Sequence, residues 1–265
     1  MNTSSNSYTF IFSAVMVVVV AALLSLAATS LQPMQAENVR QESWQNILKS
    51  INVDVSRAES EEAYNNLITE ELVIQNGQIV DGMNPLEIVI ADEVKKPLEE
   101  RKNPLYIAEK DGETFYVIPL RGGGLWGPIW GFISLKKDAS TIYGANFDHK
   151  SETPGLGAEI NTAMFYDQFQ NKNILDESGE FKSVTVKKGG GSGQHEVDGI
   201  SGGTVTSDGV TDMLKNCLAG YVDYLKARSS SHDEDLPVEE LEIDDPIEDE
   251  DVDVASNEVI ENDVV

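Results

Sequence analysis

Leu105-Tyr-Ile-Ala-Glu-Lys-Asp-Gly-Glu-Thr-Phe-Tyr-Val-Ile118 carries the strongest fold signal in the chain. Two runs rich in β-branched and aromatic residues, 105–107 and 114–118, flank the dipeptide Asp111-Gly112. Asp-Gly favours a tight turn whose central residues have positive φ, and such a turn joins two antiparallel strands. The sequence therefore predicts a β-hairpin at the centre of the chain.

The same pattern occurs nearer the N-terminus, where Val73-Ile74 and Ile79-Val80 flank Asn76-Gly77. This dipeptide also suits a hairpin turn. Farther along the chain, apolar periodicity predicts strands over 132–136, 141–148 and 182–187 and a helix over 158–169. Together these elements predict an α+β fold built on an antiparallel sheet with flanking helices.

The clearest helix comes last and carries a single apolar stripe. The stripe consists of Val210, Met213, Leu214, Cys217, Leu218, Tyr221 and Leu225. Ser207 and Asp208 are the predicted N-caps, and the helix is expected to end near Arg228.

The N-terminus contains 22 uncharged residues between Phe10 and Leu31. As a helix they would extend about 33 Å, enough to cross the hydrocarbon core of a bilayer. A cleaved signal peptide is the alternative, but residues 1–8 lack the basic residues that such a peptide carries. We predict a transmembrane anchor over 1–32 and a helical linker over 33–74, which leads into a domain over 75–228.

The formal charge of −27 is concentrated at the C-terminus. Residues 233–265 contain 16 acidic and no basic residues, and the other 232 residues carry 30 acidic and 19 basic ones, a charge of −11. A domain this acidic has no electrostatic reason to bind nucleic acid. We predict a disordered acidic tail over 229–265, with a docking tail for a basic partner as the alternative.

The residue types of common catalytic and metal centres are scarce. Cys217 is the only cysteine, which excludes an internal disulfide, and we expect it to be a buried small apolar residue. His149, His195 and His232 lack metal-ligand spacing, so no metal site is predicted. We expect His195 to be a surface histidine, with an approach to a bound phosphate as the alternative. With no nucleophile elbow and no dinucleotide-binding glycine motif, we expect no autonomous catalytic site.

The most informative motif is Asp198-Gly-Ile-Ser-Gly-Gly-Thr204, which leads directly into the last helix. Free backbone amides at a helix start favour an anion. A plain turn with a helix cap is the alternative. The segment is not a triphosphate-binding loop, because no lysine precedes the hydroxyl residue.

This segment resembles the flavinylation motif Asp-Gly-x-Ser-Gly-Ala-Thr of FMN-binding domains. That motif occurs in the C subunit of the Na⁺-translocating NADH:quinone reductase and in the related G subunit of the Rnf complex. The resemblance implies that a separate flavin transferase esterifies FMN through its phosphate to Thr204, with Thr206 as the fallback acceptor. Gly203 stands where the motif has alanine. The implied cofactor-binding residues are Asp198, Ser201, Gly202, Gly203 and Thr206.

Two further segments are similar to the same family. Ser151-Glu-Thr-Pro-Gly-Leu-Gly157 resembles the segment beside the flavin and implies cofactor contacts from Glu152, Thr153, Gly155, Leu156 and Gly157. Gly124-Leu-Trp-Gly127 is closer to the quinone-reductase protein than to the Rnf one and implies that Leu125 and Trp126 flank the flavin ring. By themselves these segments would be interpreted as a Pro-Gly turn and an aromatic core plug.

The resemblance implies an electron-carrier subunit with covalent FMN. It would receive electrons from an iron–sulfur centre in neighbouring subunits and pass them to a flavin in the B subunit, with its soluble domain on the periplasmic side of a bacterial inner membrane. Expected partners are the other subunits of the complex, the flavin transferase and membrane lipid. The alternatives are the G subunit of the Rnf complex, a non-redox anchored binding module and a structural spacer.

Overall fold

The computed structural model of the chain describes residues 5–233. Its α-helices are α1 (Asn6–Ser50), α2 (Ser60–Leu67), α3 (Ile90–Glu93), α4 (Ala163–Tyr166), α5 (Thr204–Leu218) and α6 (Val222–Asp233). Its strands are β1 (Ile68–Gln75), β2 (Gln78–Ile79), β3 (Asn103–Lys110), β4 (Glu113–Gly123), β5 (Pro128–Lys136), β6 (Ile142–His149), β7 (Thr185–Lys187) and β8 (Glu196–Asp198). The predicted α+β class is confirmed.

Six strands form one antiparallel sheet in the order β2-β1-β3-β4-β5-β6. Both predicted hairpins are present, because Ile74 pairs with Ile79 and Tyr106 pairs with Val117. The residues of both turn dipeptides, Asn76-Gly77 and Asp111-Gly112, have positive φ. This is the backbone conformation that Asn-Gly and Asp-Gly adopt most readily. The short strands β7 and β8 form a separate parallel pair.

Both faces of the central strands are buried. Since successive side chains of a strand point to opposite faces, each strand contributes to two clusters. Leu105, Ile107, Tyr116 and Ile118 pack with α5, whereas Tyr106, Ala108, Phe115 and Val117 pack against the end of α1 and against α2. This explains why β3 and β4 are almost continuously apolar.

Helix α1 changes character along its length. Its N-terminal part is long and apolar enough to cross a membrane, and those side chains are exposed. Near its C-terminal end Ile47 and Leu48 are completely buried, as is Ile51 just after it. The helix is continuous through Pro33. The predicted membrane segment and the segment that packs on the sheet therefore belong to one helix.

The helical prediction for 33–74 is right as far as Ser50 and wrong at its C-terminal end. A turn follows α1, α2 spans one further segment, and residues 68–74 belong to β1. β1 pairs with β3 from Ile68 to Ile74. Local periodicity could not reveal this cross-strand pairing, which overrides a helical pattern.

Two other predictions fail in part. The expected helix over 158–169 is broken into the 3₁₀ turn Gly157–Asn161, the four-residue α4 and the 3₁₀ turn Asp167–Phe169, because Thr162 is extended at ψ 149°. The expected strand over 182–187 begins only at Thr185. Ser183 has φ +63°, a left-handed conformation that cannot continue a strand.

The last helix differs from its prediction at both ends. α5 begins at Thr204 with Gly203 as its N-cap, not at Ser207 or Asp208. A turn containing Gly220 separates it from α6, which continues past Arg228 to Asp233. The predicted disordered tail therefore begins within a helix, and its residues from 234 onward lie outside the described part of the chain.

Candidate functional site

Among the residues that the structure describes, the start of α5 has backbone hydrogen-bond donors without acceptors. The first backbone N–H with a helical partner is that of Ser207, which donates to the Gly203 carbonyl at 2.9 Å. The N–H groups of residues 204–206 have no acceptor within residues 5–233, and the first turn contains no acidic residue. Unpaired amides and the positive end of the helix dipole favour an anion here.

The two candidate acceptor threonines differ in their surroundings. Thr204 is the first helical residue and is half-buried, and its hydroxyl makes no hydrogen bond to any residue between 5 and 233. Thr206 is buried, and its Oγ1 donates to the Glu152 Oε2 atom at 2.7 Å. Within residues 5–233 the geometry therefore leaves the Thr204 hydroxyl without a hydrogen bond and commits the Thr206 hydroxyl to Glu152.

Glu152 joins the three motifs. Its side chain is buried, and its Oε1 atom accepts a hydrogen bond from the Trp126 backbone N–H at 2.8 Å while Oε2 accepts from Thr206. The Glu152 backbone N–H donates to His149 Nδ1 at 3.2 Å. One carboxylate therefore ties the loop 124–127 and the segment 151–157 to the start of α5.

Glycine is required where these segments meet. A Cβ atom added at Gly157 would lie 2.4 Å from Thr206 Oγ1 and 2.5 Å from Glu152 Oε2. One added at Gly124 would lie 2.5 Å from Glu152 Oε1. Any side chain at either position would displace the carboxylate.

Four large apolar side chains near this junction remain exposed to solvent. The exposed fractions are 54% for Leu125, 66% for Trp126, 40% for Leu156 and 52% for Val205. Trp126 and Leu156 belong to the segments that Glu152 ties to α5, and Val205 follows Thr204 directly. Apolar surface beside free amides fits a ligand with a flat apolar ring system and an anionic group.

Four other predicted cofactor residues lie in the loops around the start of α5. Ser201 and Thr153 are exposed, and the Thr153 carbonyl accepts from the backbone N–H groups of residues 156 and 158. Gly155 donates its N–H to Glu159 Oε1, and a Cβ at Gly202 would lie 2.6 Å from the Leu156 side chain.

Asp198 and His195 face other partners. Asp198 Oδ1 accepts a hydrogen bond from the Gly191 backbone N–H, so this carboxylate holds the glycine-rich loop around residue 191 in place. His195 Nδ1 lies 2.6 Å from the Asn173 carbonyl oxygen, which does not support the suggestion that it approaches a phosphate. No cluster of three or more His, Cys, Asp or Glu is placed to hold a metal within the described residues.

Sequence reasoning missed two contributors to the site. Val205 lies between the two candidate threonines and adds to the exposed apolar surface. Ser207, predicted as a helix cap, instead accepts from the Ile200 N–H at 3.1 Å and so holds the motif loop against α5. The place of Val205 directly after Thr204 in the sequence was the one available signal.

Comparison with known proteins gives consistent matches. Residues 124–219 match the FMN-binding domain family. The C subunit of the Na⁺-translocating NADH-quinone reductase from Pseudomonas aeruginosa is 30% identical over 239 residues, which cover 80% of this chain and 91% of that protein. The corresponding protein from Vibrio vulnificus is 27% identical over 207 residues, covering 71% and 81%.

Solved structures show the same similarity. The crystal structure of the C subunit from Parabacteroides distasonis is 47% identical with a TM-score of 0.69, covering 74% of this chain and 96% of that one. The Shewanella oneidensis protein named NqrC is 22% identical with a TM-score of 0.61, covering 72% and 98%. At that identity the second structure supports the fold alone.

Proposed function

The chain belongs to the family of the C subunit of the Na⁺-translocating NADH-quinone reductase, and on that premise we propose that it is an electron-carrier subunit whose FMN is esterified to Thr204. The family match over 124–219 contains all three motif segments. It favours a flavin over a non-redox ligand, and the relatives named above favour this complex over the Rnf complex.

The observation that carries the proposal is the contrast between two hydroxyls in the first turn of α5. Thr206 is buried and bonded to Glu152, whereas Thr204 is half-buried beside three backbone amides that have no acceptor within residues 5–233. A phosphate on Thr204 Oγ1 would lie next to those amides, which would partly neutralise its charge. The site thus matches the chemistry of a phosphoester at a helix start.

Attachment requires a donor of activated FMN, and FAD is the donor class we propose. The Thr204 oxygen forms a bond to the phosphorus on the FMN side, the phosphoanhydride bond of FAD breaks and AMP leaves. The hydroxyl proton goes to a base of the flavin transferase or to water. Within residues 5–233 the carboxylate of Glu152 is bonded to Thr206 and no carboxylate is hydrogen-bonded to Thr204, which is consistent with the use of a separate enzyme to remove that proton.

The remaining residues hold the site in place. When bound, FMN supplies the redox chemistry. We propose that Leu125, Trp126 and Leu156 cover the ring faces, because their side chains are exposed at the junction. Ser201, Gly202, Gly203 and Thr153 would contribute polar or close backbone contacts along the ring edge and the phosphate chain. Glu152, Gly155 and Gly157 would fix the loops that carry these contacts.

The anchor and the domain have separate roles. We propose that α1 holds the chain in the bacterial inner membrane, in contact with lipid and with the other subunits of the complex, and that the domain faces the periplasm. NADH oxidation and quinone reduction would occur on other subunits. The domain would pass electrons from an iron–sulfur centre in neighbouring subunits to a flavin in the B subunit.

The test is co-expression of the full-length chain with a flavin transferase in cells that supply FAD to the periplasm. A denaturing gel viewed under ultraviolet light then reports covalent flavin. We expect a fluorescent band from the unchanged chain and from Thr204→Ser, which keeps a hydroxyl, and no band from Thr204→Ala.

Three results bear on the proposal. Loss of the band in Thr206→Ala but not in Thr204→Ala would move the attachment site by two residues and keep the function. Retention of the band in both alanine variants would contradict attachment at this motif. If the unchanged chain gives no band while the transferase labels a known substrate, the covalent-flavin proposal is wrong.

A further inference from the structure

The backbone of Trp126 is held on both sides by one turn of the chain. Its N–H donates to the Glu152 Oε1 atom at 2.8 Å, and its carbonyl oxygen accepts from the Ser151 hydroxyl at 3.1 Å. The side chain of Trp126 is 66% exposed and makes no hydrogen bond to any residue between 5 and 233. The position of this indole therefore depends on the turn formed by residues 149–152.

His149 closes that turn. It is the last residue of β6 and pairs with Ile129 of β5, so its backbone belongs to the sheet. Its Nδ1 atom accepts the Glu152 backbone N–H at 3.2 Å. Such a bond between a side chain and the backbone three residues later fixes a turn locally. His149 thus connects the sheet to the residue whose carboxylate holds Trp126.

This hydrogen bond also defines which side chains can replace the imidazole. A backbone N–H can only donate, so Nδ1 of His149 carries no proton and the neutral ring is protonated on Nε2. An asparagine at this position would present its carbonyl oxygen at the place of Nδ1, as Asn side chains do in turns. An alanine would present no acceptor.

Loss of the acceptor would displace the turn. Glu152 is only 5% exposed, and a buried donor without an acceptor is costly. The turn would therefore shift until water reaches the Glu152 N–H, and the groups that hold Trp126 would move with it. The Lys150 N–H donates to the Pro128 carbonyl at 3.1 Å, which would keep only the first part of the turn attached to β5.

From these contacts we infer that His149 is a positioning residue of the cofactor site. It acts through Glu152 and Ser151 to hold the Trp126 indole against the flavin ring. The inference rests on the proposed function, because it is there that Trp126 covers the ring. It adds a residue outside the three motif segments and a specific chemical requirement, an unprotonated acceptor at the δ position.

The first test needs no flavin. Hydrogen exchange of the unloaded full-length chain in detergent is followed by mass spectrometry on the peptide that covers residues 124–130. The Glu152 carboxylate should protect the Trp126 amide from exchange. We expect His149→Ala to speed this exchange by about tenfold, the effect of losing one hydrogen bond, and His149→Asn to leave it nearly unchanged.

The second test uses the chain after flavin attachment. An indole in contact with the isoalloxazine ring quenches flavin fluorescence, and denaturation removes the quenching. The ratio of native to denatured fluorescence, at equal flavin absorbance, therefore reports where Trp126 lies. Trp126→Phe gives the ratio without the quencher. We expect His149→Ala to raise the ratio toward that value and His149→Asn to keep the ratio of the unchanged chain.

His195→Ala is the matched control for both tests. Its Nδ1 atom lies 2.6 Å from the Asn173 carbonyl oxygen, so this imidazole also contacts the backbone, but it lies outside the turn that holds Trp126. We expect it to change neither the exchange nor the ratio. Circular dichroism confirms that each variant is folded. If His149→Ala does not fold, His149→Gln, whose acceptor lies one bond farther from the backbone, provides the same comparison.

Three outcomes overturn the inference. Exchange and fluorescence that are the same in His149→Ala as in the unchanged chain would show that the turn does not need this acceptor. Failure of His149→Asn to restore either measurement would show that the ring matters for its bulk. Faster exchange without a change in fluorescence would show that the turn does not place Trp126 against the flavin.

Failure of the proposed function is distinguishable from failure of this inference. An unchanged chain that takes up no flavin beside an active transferase would contradict the covalent attachment. Hydrogen exchange of the unloaded chain would still decide whether His149 holds Trp126 through Glu152.

Discussion

The junction of α1 with the sheet and the region around the start of α5 differ in how far their large apolar side chains are buried. Where α1 meets the sheet, Ile47, Leu48 and Ile51 are completely buried and pack against Phe115 and Tyr106. At the start of α5, residues of similar size remain 40–66% exposed. Burying a side chain of this size stabilises a fold by about 1.5–3 kcal/mol. The exposed apolar side chains near the start of α5 do not contribute this stabilisation to the free chain, as expected if they contact a ligand.

Hydrogen bonding differs in the same way. On the α1 side, contacts are mainly aromatic and aliphatic, such as the tilted pair Trp44 and Tyr64 with ring centres 5.6 Å apart. At the start of α5, a buried carboxylate organises three chain segments, and three amides remain free of acceptors within residues 5–233. Stability should therefore depend on the α1 side, and cofactor attachment on the α5 side.

The largest expected effect on stability tests this division. Ile47→Ala should lower the free energy of unfolding by about 2–5 kcal/mol, because it leaves a cavity in a closed cluster. Leu156→Ala removes a residue of equal size whose side chain is 40% exposed and should lower the free energy of unfolding by only about 1 kcal/mol or less. Urea unfolding of the full-length chain in detergent measures both. Equal losses would show that the two regions do not differ.

Gly157→Ala should have the next largest effect. The added methyl group would lie 2.4 Å from Thr206 Oγ1, so the Glu152 contacts must shift. We expect a loss of about 1–3 kcal/mol in unfolding free energy together with reduced flavin attachment in the gel assay. Gly123→Ala is the matched control, because a Cβ there meets no atom within 4 Å. Normal attachment in Gly157→Ala would contradict the role given to this contact.

Thr206→Val should have a smaller effect. It keeps the shape of the side chain but leaves the buried Glu152 Oε2 without its donor, at a cost of about 1–3 kcal/mol, the lower end being expected because Oε1 keeps its partner. Flavin should still attach at Thr204. Thermal unfolding and in-gel fluorescence measure the two effects, and loss of fluorescence without loss of stability would make Thr206 the attachment residue.

The smallest expected effect concerns the buried end of α5. Burial raises the pKa of the Cys217 thiol, which also accepts the Arg121 backbone N–H at 3.4 Å. At neutral pH the thiol should therefore remain protonated and resist an alkylating reagent in the native chain, then react once the chain unfolds. Mass spectrometry before and after denaturation measures this. Rapid native alkylation would show that this end of α5 is open.

Local chemistry made part of the fold predictable. The dipeptides Asn76-Gly77 and Asp111-Gly112 fix hairpin turns by themselves, because their residues tolerate positive φ. The breaks at Thr162 and Ser183 left a weaker signal, because Ser and Thr favour caps and turns but also occur inside helices and strands. The start of β1 depends on pairing with β3, which lies about 35 residues farther along the chain.

The site was predictable as a set of segments but not as an arrangement. Resemblance to a family pointed to Thr204, Glu152 and Trp126 separately. Glu152 bonds to residues 26 and 54 positions away, and no periodicity in the sequence encodes such pairs. The contrast between the free Thr204 and the bonded Thr206 likewise depends on where α5 begins, which the caps Ser207 and Asp208 suggested wrongly.

Peptide mapping decides whether FMN is covalently attached to Thr204. The complex is isolated from native membranes and digested, and the peptide that contains residues 198–215 is fragmented in a mass spectrometer. We expect a mass increase equal to FMN less one water, located on Thr204. An unmodified peptide in a complex that retains activity, or the same increase on Thr206, would contradict the claim.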